Sequence, residues 1–280
     1  MFTKRDVGNY YNATQLHYEN WWGLKKSHSL HYGIWEKGIT DYSQAKSNTN
    51  RIMMELCAIT ETDRVLDAGC GVGGAAIYIN ACKNAAVTGI TLSEKQVDFA
   101  NRLAKEKRPD GMVSFLLMDY THTNFKDESF DVVWACESMS SAMDKSAFID
   151  EAFRLLKRGG RLIVSDFFIR DENQADKHSW IKKWMDTWFI NSLISMDTYS
   201  HLLKNKGFKI SQQKDYTKQI QKSSKKLFYA SILGAIPAAM YNLFNRGVSL
   251  YAKNHYKCGY YQYKALKKDL WKYFIVLAIK

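Results

Sequence analysis

The stretch Val65-Leu66-Asp67-Ala68-Gly69-Cys70-Gly71-Val72-Gly73-Gly74 limits what this chain can fold into more than any other feature. A short apolar run ends in an aspartate, four of the six residues 69–74 are glycine, and Ala75-Ala76-Ile77 then open a helical pattern. Side chains at Gly69, Gly71 and Gly73 would block a tight strand-to-helix turn or the close approach of a ligand to the backbone. The spacing satisfies G-x-G-x-x-G through Gly69, Gly71 and Gly74, so a dinucleotide is one candidate ligand. Two features point elsewhere. Asp67 would repel a pyrophosphate but suits a cation or an ammonium group, and the acid expected about 20 residues on is replaced by Thr91-Leu92-Ser93. Thr91 and Ser93 can hydrogen-bond sugar hydroxyls instead, while Asp119 can accept from an adenine amine with the Tyr120 ring beside it.

The alternation continues beyond this loop. RVLDAG (64–69), AVTGIT (86–91), VSFLLMD (113–119), FDVVWAC (130–136) and RLIVSDFF (161–168) read as strands. Helical spacing occupies 75–83, 95–108 and 146–159, the last expected to stop at Gly159-Gly160. Strands this uniformly apolar belong to a parallel sheet covered on both faces, so the fold class is α/β, doubly wound and Rossmann-like. Ligands of such sheets bind beyond the carboxyl ends of the strands. With 46% hydrophobic residues, 24% charged and 2 prolines in 280 residues, there is ample core material and little for a linker.

The flanks differ from this core. Residues 1–55 read as an aromatic helical lid and residues 56–170 as the α/β core. Residues 171–258 are helical cap insertions around a short core element at about 197–216, and residues 259–280 are closing strands. Forty Lys and Arg against 28 Asp and Glu give a net charge of +12, yet the basic residues are spread out or in short clusters, which argues for a solvated face and against nucleic acid. Five cysteines with no paired spacing, and a polar, aromatic start without a signal-peptide pattern, predict a cytoplasmic protein with neither a disulfide framework nor a structural zinc. Nor does a compact His/Asp/Glu set mark a metal site. The apolar run LFYASILGAIPAAMYNLF (227–244) approaches the length of a membrane span but contains Pro237 and Asn242, leaving a buried helix pair, a lipid-facing cap or an interfacial anchor open.

In order along the chain, YYNATQLHYENWWG, LHYGIWE, VLDAGCGVGG, GITLSEKQ, MDY, ACESMSSAMD and LLKRGGRLIVSD resemble the class I S-adenosylmethionine methyltransferases, and within them the branch of sterol, tocopherol and terpenoid C-methyltransferases. The C-terminal GYYQYKALKKDLWKYFIVLAIK resembles the closing strands of that branch, and coverage is nearly complete. The resemblance implies a seven-stranded sheet with a lid and cap, S-adenosyl-L-methionine as cofactor, and a small, largely apolar acceptor, foremost an alkene carbon of an isoprenoid or lipid-like molecule, with or without a diphosphate. Small amines or phenols are the alternative acceptors. A nucleic-acid methyltransferase is more distant, since an NPPY-type segment is absent where the chain reads ACESMSS. Peripheral membrane contact and homo-oligomerisation stay open.

For site residues, the resemblance places Tyr32, Trp35, Asp67, Gly69, Cys70, Gly71, Gly73, Thr91, Leu92, Ser93, Gln96, Asp119, Tyr120 and Glu137 at the cofactor. Glu137, in an ESM-like segment, is implied to stabilise or deprotonate a carbocation, with aromatic faces adding cation–π attraction. Its alternative is a positioning role. Many sterol- and tocopherol-type members carry a histidine shortly after this glutamate, where this chain has Ser140 and Ser141. His31 and Tyr32 are further catalytic candidates, with structural packing as the competing account. Tyr10, Tyr11, Tyr18 and Ser141, together with Trp180, Trp184 and Trp188 at four-residue spacing on one helix face, are candidate walls of the acceptor pocket or ordinary core.

Overall fold

A computed structural model describes residues 2–21, 28–108, 110–244 and 253–280. Helix α1 (Lys4–Trp21) and helix α2 (Tyr42–Leu56) precede the sheet. The core then runs β1 (Arg64–Ala68), α3 (Gly74–Lys83), β2 (Ala86–Thr91), α4 (Glu94–Lys107), β3 (Val113–Leu117), β4 (Phe130–Cys136), α5 (Lys145–Leu155) and β5 (Leu156–Ile169). Helix α6 (Trp180–Trp188), α7 (Met196–Lys206), β6 (Lys209–Asp215), α8 (Gln221–Phe244), α9 (Cys258–Lys267) and β7 (Trp271–Ile279) follow. Side chains start the helices as local chemistry requires: Ser93 Oγ accepts from Gln96 N at 3.2 Å for α4, and Asp144 Oδ1 from Ser146 N at 2.8 Å for α5.

Among the described residues, seven strands form one sheet in the order β3-β2-β1-β4-β5-β7-β6. The first five pair in parallel, and β7 runs antiparallel to both β5 and β6. Alternate residues feed two cores. Val65, Val132 and Ile163 pack with α2 and α3 on one face, whereas Leu66, Val133 and Leu162 pack with α5 and α7 on the other. This is the doubly wound α/β sheet that the strand pattern predicts, with seven strands and flanking helices as the resemblance implies.

Two local expectations need correction. Helix α5 stops at Leu155, not at Gly159-Gly160. Those glycines lie inside β5, where the pairing with β4 jumps from Phe130↔Leu156 to Val132↔Arg161 and the surplus residues bulge out. Residues 259–267, read as part of the closing strands, lie in α9, which packs on α8. Its aromatic residues are spaced as helix neighbours and stack on Phe228. The run 227–244 lies within α8, and among the described residues no helix is long and apolar enough to cross a membrane.

Candidate active site

The carboxyl ends of β1, β2 and β4 and the crossing lid enclose one cavity. Gly69 N and Cys70 N both donate to Ile90 O, at 2.9 and 3.0 Å, so the glycine loop is folded back against the end of β2. Gly69 needs its left-handed φ of 86°, and a Cβ there would collide with Ser138 Cβ. Behind the loop Asp67 is buried, with Oδ2 lacking a hydrogen-bond partner among the described residues. Burial pushes its carboxyl up to about 7, a hydrogen bond from the Ala76 backbone pulling the other way.

Glu137 follows β4 in a left-handed conformation, φ 53°, which a β-carbon makes costly and which its neighbours enforce. Its amide donates to Ser165 O at 2.7 Å. Carboxylate Oε1 accepts from Tyr32 N and from the Tyr273 hydroxyl, both at 2.7 Å. Burial raises the Glu137 carboxyl well above the ordinary range, against the pull of those two donors and of Lys46. Lys46, buried beneath the lid with Nζ donating to Ser29 O at 2.8 Å, is lowered by burial to about 7. Asp166 pins the next turn, accepting from Ser140 N at 2.9 Å. Burial lifts its carboxyl to about 6.

The lid closes the cavity from above. Val7 and Tyr11 of α1 and residues 28–31 line it, with Tyr11 hydrogen-bonded to Ser141. Helix α1 is tied down where Ser93 Oγ donates to Asn12 Oδ1 at 2.6 Å and Lys4 pairs with Asp119. Gly33 N donates to Ser223 Oγ at 3.1 Å, which returns a bond to Gly33 O at 2.7 Å, so the segment carrying Tyr32 is stapled to α8. His31 is neutral at ordinary pH, since burial lowers its imidazole to about 4, and Nδ1 donates to Tyr32 O at 2.8 Å.

Of the residues singled out from sequence, His31, Asp67, Gly69, Cys70 and Gly71 meet in the cavity wall. So do Thr91, Leu92, Gln96, Tyr120, Glu137 and, on the far side, Tyr11, Ser141 and Trp188. Others stand back. Tyr32 packs behind Glu137 against Phe167 and Trp271 and reaches it through its backbone amide. Trp35 stacks on Tyr42 and donates to Ser223, away from the cavity. Gly73 shapes the start of α3, and Ser93 caps α4. Asp119 accepts from Thr121 and pairs with Lys4. The Tyr10 hydroxyl meets His255 Nδ1 at 2.7 Å. Trp180 and Trp184 share one face with Trp188, but Trp184 packs on Trp271 and Trp180 on Tyr261. The side chain of Tyr18 lies outside the described residues. Sequence reasoning missed Tyr273, Lys46, Phe167 and Ile190, which reach the site only through pairing of β5 with β7 and packing of the lid and cap.

The family described as "Methyltransferase domain" matches residues 66–164. The 27-O-demethylrifamycin SV methyltransferase of Amycolatopsis mediterranei (strain S699) is 30% identical over 226 residues, covering 79% of this chain and 80% of that one. Among solved structures, the [4+2]-cyclase SpnF is similar with a TM-score of 0.81 at 24% identity, covering 99% of this chain and 96% of that chain. A geranyl diphosphate methyltransferase in complex with GPP and sinefungin has a TM-score of 0.78 at 18% identity, covering 99% and 98%.

Proposed function

The chain belongs to the class I S-adenosylmethionine-dependent methyltransferases, related to the sterol, tocopherol and terpenoid methyltransferases, and on that premise we propose that it methylates an alkene carbon of a small, largely apolar acceptor. The residues present fit S-adenosylmethionine. A buried carboxylate oxygen of Asp67 without a hydrogen-bond partner among the described residues suits a positive group, and Gly69 and Gly71 bring backbone into the cavity wall. Asp67, Gly69, Gly71, Leu92, Gln96 and Tyr120 would hold it. When bound, the cofactor supplies a methyl group on a positively charged sulfur.

A charge linkage follows. In the free protein the Asp67 carboxyl, raised to about 7, is largely protonated below that pH. A cation beside it favours the carboxylate, so its pKa falls on binding and a proton leaves. Affinity for S-adenosylmethionine is therefore expected to rise with pH up to about 7, by at most about tenfold per pH unit for one released proton, and to flatten above. Calorimetry in buffers of different ionisation enthalpy measures the proton directly. A pH-independent affinity, or one unchanged in its slope by Asp67→Asn, would sink this account.

The observation that carries the alkene reading is Glu137: a buried carboxyl in the cavity wall, aimed by two donors on one oxygen and accompanied by the aromatic faces of Phe167 and Trp188. Methylating a double bond leaves a carbocation on the acceptor. A cation bound beside Glu137 favours its ionised form, with the proton passing to solvent; the carboxylate and the π-faces then stabilise the acceptor's charge, and Glu137 can take the proton whose loss restores a double bond. No lysine or arginine lines the cavity among the described residues, which favours a neutral acceptor over a diphosphate ester.

A second reading is O-methylation of a hydroxyl, favoured by the 30% identity to the rifamycin-type enzyme and by neutral His31 in the cavity wall. There the imidazole takes the hydroxyl proton and Glu137 only positions. Incubation with methyl-labelled S-adenosylmethionine and separate pools of neutral isoprenoids, prenyl diphosphates, phenols and amines separates the two by mass spectrometry. Label in an alkene product is the expected result. Label confined to hydroxyl or amine acceptors overturns the alkene reading.

A further inference from the structure

Helix α8 carries two opposed faces, and among the described residues only one is covered. Ser223, Ser224, Leu227, Ser231 and Gly234 are buried, and Ser223 and Ser224 bond to Gly33 and Gln262. The opposite stripe runs at helical spacing from Lys222, Lys225 and Lys226 through Tyr229 to Leu233, Ile236, Met240 and Phe244. Leu233 is 71% exposed, Ile236 72% and Phe244 76%. One exposed stripe is thus basic over its first turns, where the Lys222 and Lys226 ammonium groups also lie over the Trp35 and Tyr42 rings, and apolar over its last, left bare among the described residues.

The charge around it is one-sided. Between Asp215 and Asp269 the sequence has no acidic residue, against nine lysines and Arg246. That segment accounts for ten of the twelve net positive charges. We infer that the exposed stripe of α8 docks on an anionic lipid surface, with Leu233, Ile236 and Met240 entering the interface and Lys222, Lys225 and Lys226 at the headgroups. A basic first half followed by bare aliphatic side chains suits a surface that is anionic outside and hydrocarbon within. A second copy of the chain is a poorer occupant, because a two-fold pairing centred on this stripe would lay Lys222, Lys225 and Lys226 against the partner's aliphatic half with no carboxylate to pair them. Nucleic acid would use the lysines but leave the aliphatic stripe exposed. This inference is independent of which acceptor is methylated.

Flotation of the full chain with phosphatidylcholine vesicles, with and without an anionic phospholipid, is the test. Binding is expected only to the anionic vesicles, falling with salt and weakening about fivefold for each of Lys222, Lys225 and Lys226 changed to glutamine. Leu233→Glu with Ile236→Glu, both at exposed positions, should abolish flotation while leaving the thermal midpoint and S-adenosylmethionine affinity unchanged. Equal flotation with neutral vesicles, none with anionic ones, or flotation surviving the double variant would overturn the inference. So would a dimer in sedimentation velocity that the double variant splits, since the face would then be an interface between copies. Retention of an oligonucleotide that the double variant leaves intact, without vesicle binding, would reassign the lysines to nucleic acid.

Discussion

Replacement of Glu137 by glutamine is expected to lower kcat on the proposed alkene acceptor by about a thousandfold and to leave the S-adenosylmethionine dissociation constant within a few-fold. The amide keeps the shape and can still accept from Tyr32 N and the Tyr273 hydroxyl, so the lid contact persists. What disappears is the ability to carry negative charge. A preorganised group facing developing charge in a water-poor site contributes about 100- to 1000-fold, and proton transfer by a placed side chain contributes a similar factor. Tyr273→Phe removes one of the two donors and should cost much less, since the Tyr32 amide still orients Oε1. Single-turnover kinetics alongside cofactor titration reads both effects. A Glu137→Gln enzyme with near-normal kcat would leave the glutamate a positioning group and favour the hydroxyl reading.

The second large effect is expected at Gly69. An alanine there must hold φ near 86° and place its methyl against Ser138 Cβ, whose Oγ donates to Ala68 O at 2.5 Å. Left-handed strain costs about 1–2 kcal/mol for a residue with a β-carbon, and overpacking adds about 1–3 kcal/mol. Either the loop or the turn after β4 must shift, and both border the cavity. The variant should lose about 2–5 kcal/mol of stability and bind S-adenosylmethionine at least tenfold more weakly. Gly111→Ala is a matched control, because its φ is also positive, at 75°, but nothing lies near its missing Cβ. Thermal unfolding and equilibrium dialysis of the two variants separate backbone strain from lost space. Equal losses in both would refute the argument for close packing at Gly69.

Sheet and loop were legible because their causes are local. Val65-Leu66 and Val132-Val133 must be apolar on successive positions to feed two cores, and Gly69 to Gly74 must be small to turn. Glu137 was legible for the same reason, sitting directly after a readable strand. Its surroundings were not. Tyr273 lies 136 residues away and reaches Oε1 only because β7 pairs with β5 so that Phe167 faces Tyr273. The partners of Trp35 and Ser93 are equally non-local: the indole donates to Ser223, and the hydroxyl bonds Asn12 and the start of α4. Gly159-Gly160 looks like a helix stop in one dimension and is a strand bulge in three.

The central place of β7 has a consequence for how such a chain is made. Strand β6 pairs with β7 and, among the described residues, with no other strand, while β7 lies between β6 and β5. As the polypeptide emerges from the ribosome, β1 to β5 can assemble in turn. Strand β6 then appears with nothing to hold, and the far edge waits for a segment about 55 residues later, as counted from Asp215 to Trp271. The same late segment brings the tyrosine that bonds Glu137. The contact between Tyr273 and Glu137 thus waits until the youngest strand slides between two older ones.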